Sequence, residues 1–518
     1  MQILTFSNDN LALALSNDYT SPEVISSKNH FKFLQNYLGN SGLNTQTILV
    51  EEDYVSKDYL HDYATYYALC FEKYPKFCKR IHFFGNEFDN KAISKILLDQ
   101  EQDEEFWKNY LGFVVVKPIP FTIIGYTVLK TYNNGSGFNS RNFWGTREYR
   151  VHLFGNEIKF DSLAFQEQDS VLSACATTAI WSMLNKASVD YYTKLKSPNE
   201  ITKDADRTSL DGSRLFPNKG LNVLQICKAI ENSGLVSEVK PPNQMVNYPE
   251  LNLGSFNVLT NEYTKKVLNA YSPIGIPIIL VIKVPNGGGY GLHAITVSGF
   301  IQNPPKAILP KNEVSWLSKN IDKFYAHDDQ WGPFARIEFD GDHKLKTPWS
   351  DFDPRKNPTF ITNIIVPLYP KVRISYEDIE FLVLGIDAFL TLFFGDLILN
   401  DLVWDVKIEF GNNFKTSVKQ TELEGDTKIE FLTRSLPRYL WVASCYSGDF
   451  KLFDFTFDAT DIKSGMIGNG ILCYFPEIEP KLKQYLITNR AYLEQLFRHN
   501  SKKNYIDFFI ENLKDIEN

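Results

Sequence analysis

Residue types suited to nucleophilic chemistry occur in the segment FQEQDSVLSACATTAIWSML, residues 165–184. Its polar half is followed by small and apolar residues, which predicts a helix over Ser173–Leu184 with Cys175 at its N-terminus. Unpaired N–H groups and the positive end of the helix dipole favour a thiolate at such a position. Gln166 and Gln168 lie upstream, where a side-chain amide is able to donate to an oxyanion.

A base and an orienting carboxylate are predicted on two later strands. His293 opens the second of two apolar strands, beside a Gly-rich hairpin, so its imidazole is expected to face a cleft. A further strand ends in His327, Asp328 and Asp329. A carboxylate there is able to accept the second imidazole N–H and so to fix the tautomer of the base. The three segments therefore supply a nucleophile, a base and an orienter in the chain order Cys, His, Asp.

Together these segments resemble the papain-like cysteine peptidases. The shared features are a cysteine at a helix start with a glutamine upstream, His-Ala on a strand, and Asp-x-Trp-Gly on a later strand, here residues 329–332. In detail they resemble the bacterial branch that includes the double-glycine leader peptidases. The resemblance covers about 200 of the 518 residues, from about residue 160 to residue 360.

The resemblance implies a role for each candidate residue. The nucleophile, the base, the orienting carboxylate and the oxyanion donor are, in that order, Cys175, His293, Asp329 and Gln168. Asp328 is the alternate carboxylate and Gln166 the alternate oxyanion donor. A papain-like enzyme of this kind needs no cofactor and no metal ion, so none is expected.

The sequence departs from the family pattern at two places next to the nucleophile. Ala176 follows Cys175, where the family has other small-residue signatures. Gln168 lies seven residues before Cys175 instead of the usual six, so a bulge of one residue is expected between them. No transporter segment adjoins the region, so the secretion of leader peptides is not supported.

The function implied by the resemblance is that of an enzyme, an intracellular cysteine peptidase that works through a thioester acyl-enzyme. Its expected substrate is a peptide or a protein. Related thiol chemistry stays open, namely isopeptide cleavage, glutamine deamidation or transglutaminase-type acyl transfer. The alternative from another class is a catalytically inactive interaction protein with the same fold.

The elements that must position these residues predict an α+β fold, because helices precede strands within the central region. That region, residues 160–368, is expected to be a papain-like domain in which a helix carries Cys175 and an antiparallel sheet carries the His and Asp. Residues 1–159 are predicted to be a mixed α/β region, and residues 369–518 a mixed region of strands followed by helix. These flanking domains favour a regulatory protein partner.

Composition and charge exclude several other classes. The net charge of −8 argues against a nucleic-acid partner, which requires a basic surface. Six scattered cysteines without a CxxC pair indicate neither a disulfide framework nor a thiolate zinc site. The first residues lack the features of a signal peptide. The most apolar window, Phe381–Leu399, contains Asp387 and Asp396, which favours a buried helix or strand over a membrane span. A cytoplasmic protein is therefore expected.

The remaining thiols and one further imidazole are interpreted as structural. Cys227 is predicted to lie in the core on the apolar stripe of a helix over Leu221–Ser233. The other cysteines fall among aromatic residues or in strand-like runs, at Cys70, Cys78, Cys445 and Cys473. His327 has no further ligand at a metal-binding spacing, so it too is expected to be structural.

Overall fold

Helices and strands are mixed along the chain, as an α+β protein requires. The protein is described by a computed structural model. The structure describes residues 1–98, 104–132, 140–169, 175–190, 193–205, 220–251, 253–287, 289–303, 314–350, 357–395, 401–461, 466–495 and 505–515. Ser173 and Ala174, predicted as the first residues of the helix that carries Cys175, therefore lie outside the described residues.

The helices of the described part of the chain are mostly short, of two to three turns. They are α1 Asn8–Leu15, α2 Pro22–Ser27, α3 Asn29–Leu38, α4 Lys57–Thr65, α5 Asn90–Leu97, α6 Glu104–Lys108, α7 Cys175–Asp190, α8 Pro198–Ala205, α9 Val223–Glu231, α10 Asn261–Tyr271, α11 Tyr376–Phe394, α12 Gly411–Lys419, α13 Gly425–Thr433, α14 Glu479–Thr488, α15 Arg490–Leu493 and α16 Tyr505–Asn512. Short 3-10 turns occur at Tyr67–Leu69, Pro249–Leu251, Ser272–Ile274, Leu317–Asn320 and Pro348–Ser350.

The described strands follow the apolar and β-branched runs of the sequence. They are β1 Gln2–Thr5, β2 Thr47–Tyr54, β3 Cys78–Phe84, β4 Tyr110–Val116, β5 Ile124–Leu129, β6 Ser140–Asn142, β7 Arg147–Leu153, β8 Asn156–Ser162, β9 Val236–Lys240, β10 Gln244–Tyr248, β11 Gly254–Val258, β12 Ile278–Asn286, β13 Gly289–Gln302, β14 Ser315–Trp316, β15 Ile321–Asp328, β16 Gly332–Asp340, β17 Lys344–Lys346, β18 Phe360–Leu368, β19 Leu402–Phe410, β20 Tyr439–Ser447, β21 Phe450–Asp458 and β22 Gly468–Cys473.

The chain divides into two compact units that differ from the three predicted domains. The first unit consists of Met1–Asn261, Gly275–Ile301 and Lys323–Pro367, and the second of Glu262–Ile274, Gln302–Asp322 and Leu368–Asn518. The boundary predicted after residue 159 falls inside the first unit. The boundary predicted after residue 368 lies beside Leu368, where the last stretch of the second unit begins.

The first unit contains two large sheets. One has five antiparallel strands in the order β1-β2-β3-β4-β5. The other has the order β17-β16-β15-β13-β12-β18-β9, with β6 paired to β13. Within it, β12 pairs antiparallel with β13 and β18, and β16 pairs antiparallel with β15 and β17. Because β13 and β15 are neighbours in this sheet, Asp328 at the end of β15 comes close to His293 in the first half of β13.

A shared hydrophobic core explains why residues 1–159 are not a separate unit. Leu34 and Tyr37 of α3 are buried in the same cluster as Phe165, Tyr325 and Phe334. Thr127 of β5 also exchanges both backbone hydrogen bonds with Phe165, at 2.8 and 2.9 Å. The apolar surface of the N-terminal sheet is thus removed from water by residues of the region that carries the candidate site.

The second unit contains a five-stranded sheet in the order β14-β19-β20-β21-β22. The prediction that strands come first and helices last in residues 369–518 is wrong, because α11, α12 and α13 lie between or before the strands. The run KIEFLTR, residues 428–434, alternates in the way that predicts a strand, but all of it except Arg434 lies in α13. Thr427 and Phe431 are buried there, four residues apart on one helical face.

The apolar window Phe381–Leu399 is occupied by a helix as far as the structure describes it. Helix α11 has a capping box formed by Ser375 and Asp378, and nine of its residues are buried. Asp387 accepts a hydrogen bond of 2.7 Å from the Trp404 indole, which satisfies this carboxylate within the unit. None of the helices in the described part of the chain has the length and apolar character needed to cross a membrane.

Candidate active site

Cys175 is the first described residue of α7, the helix that the composition of the segment predicts. The residues that follow it are small and buried, from Ala176 to Ala179. Cys175 itself is partly exposed, and its thiol lies close enough to the His293 imidazole to contribute to the raised pKa of that ring. Helix α7 therefore brings this thiol to a second candidate residue of the site.

His293 lies on β13, where it is paired with Ile282 of β12. Its side chain is only 6% exposed, so a polar partner is required for the second ring nitrogen. That partner is Asp328 at the end of β15, whose Oδ1 lies 2.9 Å from Nε2. This hydrogen bond occupies Nε2 and leaves the Nδ1 side of the ring for the Cys175 thiol.

Asp328 is held in place by two further donors. The indole Nε1 of Trp349 donates to Oδ2 at 2.8 Å, and the backbone N–H of Gln330 donates to Oδ1 at 3.1 Å. Burial alone would raise the pKa of this carboxyl, but His293, Trp349 and the Gln330 N–H together lower it below its ordinary value. Asp328 is therefore an ionised carboxylate with a fixed orientation.

The hydrogen bond between His293 and Asp328 affects the pKa of the imidazole in the opposite direction. Burial alone would lower the pKa of His293, but the charge of Asp328 and the hydrogen bonds to Asp328 and Cys175 raise it well above its ordinary value. The charge of Asp329 adds to this effect. The site thus favours an imidazolium, the form that stabilises a neighbouring thiolate.

Asp329, the carboxylate preferred from the sequence, is not the one that hydrogen-bonds to His293. Its Oδ1 lies 3.3 Å from Nε2, but neither carboxylate oxygen has a hydrogen-bond partner among the described residues. The register of β15 and β16 shifts between Ala326 and Asp328, and this β-bulge brings two consecutive carboxylates towards one nitrogen. Burial is the main cause that raises the pKa of Asp329 to about 7. The geometry therefore corrects the preference in favour of Asp328.

The two candidate glutamines differ in their connection to this cluster. Gln168 accepts a hydrogen bond of 3.2 Å at Oε1 from Nε2 of Gln330, the residue whose N–H binds Asp328. Gln166 is buried, at 6% exposure. No side-chain hydrogen bond among the described residues joins Gln166 to the cluster. The structure thus connects Gln168 to the cluster and leaves its role as oxyanion donor a prediction.

Sequence reasoning did not single out Trp349, which contacts both members of the His293–Asp328 pair. Besides its bond to Asp328, its ring meets the His293 ring edge-on, with centroids 5.1 Å apart. Trp349 lies 21 residues after Asp328 in the chain, in a 3-10 turn without a recognisable motif. No spacing in the sequence would have identified it.

Other cysteines and His327 have surroundings different from those of the Cys175–His293–Asp328 cluster. Burial raises the pKa of the thiols of Cys78 and Cys473 to about 12. Cys227 is only half-buried, so its assignment to the core is wrong: the buried face of α9 is formed by its neighbours Ile226, Ala229 and Ile230. His327 contacts the Leu163 carbonyl and the Phe334 N–H, and burial lowers its pKa to about 4. This neutral, doubly bonded imidazole has a structural role.

One group of described residues has the geometry to ligate a metal ion. The ligand atoms of His293, Asp328 and Asp329 lie within 4.8 Å of one another, and all three side chains are buried. His293 Nε2 and Asp328 are joined by a hydrogen bond, so each of these groups has a polar partner without an ion. The absence of a metal remains an expectation.

Comparisons with known proteins do not assign the chain to a family. No protein-family model matches the sequence, and no curated protein matches it. The function therefore has to be argued from the residues of the site.

The turn that carries Asp328 requires a glycine at position 332. A Cβ at Gly332 would lie 2.2 Å from Cδ1 of Phe33. We expect Gly332→Ala to destabilise the first unit by about 1–3 kcal/mol because the partly buried Phe33 ring must move. Urea unfolding measures this cost as a lower free energy of unfolding than that of the wild type.

Two variants test the cause of that destabilisation. Gly220→Ala is the matched control, because nothing lies within 4 Å of its Cβ position. In a Phe33→Ala background the added cost of Gly332→Ala should disappear. An unchanged cost in that background would contradict the explanation by steric contact.

Proposed function

We propose that this protein is a papain-like cysteine peptidase that uses Cys175, His293 and Asp328. The observation that carries the proposal is the 2.9 Å hydrogen bond between His293 Nε2 and the Asp328 carboxylate, with the Cys175 thiol close enough to the same ring to raise its pKa. This arrangement pairs a nucleophile with a base and the base with an orienting group, as nucleophilic catalysis requires. Support also comes from the placement of the cysteine at a helix start and of the His and Asp on neighbouring strands.

The proposed reaction follows from the positions of these groups. The Cys175 thiolate attacks the peptide carbonyl carbon, and an S–C bond forms. The C–N bond then breaks, which leaves a thioester on Cys175. The His293 imidazolium gives its Nδ1 proton to the leaving amine. A water molecule gives a proton to His293 and attacks the thioester; the C–S bond then breaks, which releases the carboxylic acid and restores the thiolate and the imidazolium.

Two donors are proposed for the oxyanion that forms on the carbonyl oxygen. They are the backbone N–H of Cys175 and the side-chain NH2 of Gln168, whose oxygen is already occupied by Gln330. Asp328 would stay ionised while His293 loses its proton and regains one.

A reducing compartment suits such an enzyme. All six cysteines carry free thiols, and disulfides are rare in proteins of the cytosol. We therefore propose an intracellular, cytoplasmic location, where Cys175 would remain reduced. The proposed substrate is a peptide or a protein.

The pH dependence of Cys175 alkylation tests the proposal. Iodoacetamide should modify Cys175 rapidly at about pH 6 in the wild type, because the imidazolium stabilises the thiolate. In His293→Ala the reaction should be slow at pH 6 and should rise only near pH 8.5, the ordinary range of a thiol. Peptide mass spectrometry identifies the modified residue, and Cys227 provides an internal control.

The outcomes separate peptide hydrolysis from the alternatives. Equal, slow alkylation of Cys175 in both proteins would contradict the proposal and favour an interaction protein with the same fold. If the reactive thiolate is present, mass spectrometry of products distinguishes cleavage of a backbone or isopeptide bond from deamidation and from acyl transfer to an amine.

A further inference from the structure

Two segments of the candidate site are held by side chains from the first part of the chain. One segment is residues 165–169, which contains Gln168 and precedes Cys175. The other is the turn of residues 328–332, which contains Asp328 and Asp329. The oxyanion donor lies on the first segment and the carboxylate partner of His293 on the second, so their relative position matters for the proposed chemistry.

His30 of α3 is the residue that reaches both segments. Its Nε2 forms a hydrogen bond of 2.8 Å with the backbone oxygen of Asp329. Its Nδ1 lies 3.5 Å from Oε1 of Glu167, the neighbour of Gln168. The imidazole is 7% exposed, so water cannot readily replace either contact.

Glu167 is a buried carboxylate with partners on both sides. Its Oε1 lies 3.1 Å from Nζ of Lys28, and its Oε2 accepts from the Ile124 N–H at 3.0 Å. Its own N–H donates to the Ile124 carbonyl at 3.0 Å. Lys28 in turn donates to the carbonyl of Phe121. A carboxylate that is 6% exposed needs such partners, and they fix the backbone next to Gln168.

We propose that His30 is a positioning residue for the candidate active site, with Lys28 and Glu167 as its supports. His30 keeps the Gln168 segment and the Asp328–Asp329 turn at the spacing that the His293 pair requires. The N-terminal region is then part of the catalytic unit and not an appended module. The inference rests on the proposed function, and a displacement of about 1 Å in such a site costs about 10²-fold in rate.

The decisive variant is His30→Ala. We expect kcat for peptide hydrolysis to fall about 10–100-fold with little change in KM, because the binding surface is retained and the reacting groups are misplaced. The onset of Cys175 alkylation should move to higher pH, towards that of His293→Ala, because a displaced Asp328 stabilises the His293 imidazolium less and therefore the Cys175 thiolate less. His30→Gln, whose amide is able to donate to the Asp329 oxygen, should recover part of both losses.

Matched controls distinguish positioning from a general loss of stability. His152→Ala replaces an exposed imidazole of β7 and should leave kcat and the alkylation profile unchanged. Lys28→Met removes the cation beside Glu167 together with its hydrogen bond to the Phe121 carbonyl and should lower kcat, whereas Lys32→Met, at an exposed position of α3, should not. If His30→Ala fails to fold, His30→Gln and Lys28→Met decide the question in the same assays.

The outcomes separate this inference from the proposed function. A folded His30→Ala protein with wild-type kcat and alkylation profile would overturn the positioning role and leave the peptidase proposal intact. Wild-type protein without His293-dependent alkylation near pH 6 would overturn both. A lowered kcat together with a shifted alkylation profile in His30→Ala, absent in His152→Ala, supports the inference.

Discussion

Cys175→Ala is expected to abolish peptide hydrolysis, with a loss on the order of 10⁴-fold or more. The reason is that the variant has no thiolate to form the acyl-enzyme, while the rest of the site is retained. New N-termini produced from a peptide mixture, identified by mass spectrometry, measure the residual activity. Substitution of a partly exposed residue by alanine should leave the fold intact, which circular dichroism checks.

Cys227→Ala is the matched control for this experiment, because Cys227 is also a partly exposed thiol on a helix of the first unit. It should cleave the same peptides at the wild-type rate. Cleavage by Cys175→Ala at a rate similar to the wild type would exclude Cys175 as the nucleophile.

The second large effect is expected from the two neighbouring carboxylates, which should differ sharply. Asp328→Asn is expected to lower kcat on the order of 10²–10⁴-fold, because the amide no longer stabilises the imidazolium or fixes its tautomer. Asp329→Asn should cost less than about tenfold at pH 6, since burial raises the pKa of Asp329 to about 7 and its carboxyl is then largely protonated. The asparagine mimics this neutral form.

The pH profiles of kcat give a second, independent comparison. In the thiolate–imidazolium form, activity is lost at high pH when His293 loses its proton. Without Asp328, burial dominates and the pKa of His293 falls, so the alkaline limb of Asp328→Asn should move to lower pH. In Asp329→Asn the difference from the wild type should grow above about pH 7, where the wild-type carboxyl ionises.

The result that would contradict this assignment is a reversal of the two variants. If Asp329→Asn caused the large loss and Asp328→Asn the small one, the carboxylate preferred from the sequence would be the orienter. Asp322→Asn is a suitable control, because this exposed carboxylate near the start of the same strand should leave the profile unchanged.

The sequence by itself was sufficient to locate the local elements that carry the candidate residues. The small and apolar residues after Cys175 predicted a helix, and α7 contains them. The apolar runs around His293 and before Asp328 predicted strands, and β13 and β15 contain them. These predictions succeed because periodicity and turn residues act over a few neighbours in the chain.

Weak local patterns were less informative. The run KIEFLTR alternates as a strand would, yet it forms α13 because Phe431 packs against Phe414 of α12. The apolar stripe of the predicted helix included Cys227, but the thiol of this residue is only partly buried. In both segments the packing partner decides the outcome.

Contacts between distant residues could only be decided by the tertiary structure. Asp328 and Asp329 are adjacent in sequence, and in a regular strand their side chains would point to opposite faces of the sheet. The β-bulge near them removes this alternation, so the sequence does not decide which of the two contacts His293. Trp349 and His30 reach the site from other elements, without any motif. Residues 1–159 join the same unit because their apolar faces share one core with Phe165 and Phe334. The candidate residues and the local elements that carry them therefore follow from the sequence. Which of these side chains contact one another depends on packing between residues distant in the chain, and local sequence patterns carry no information about that packing.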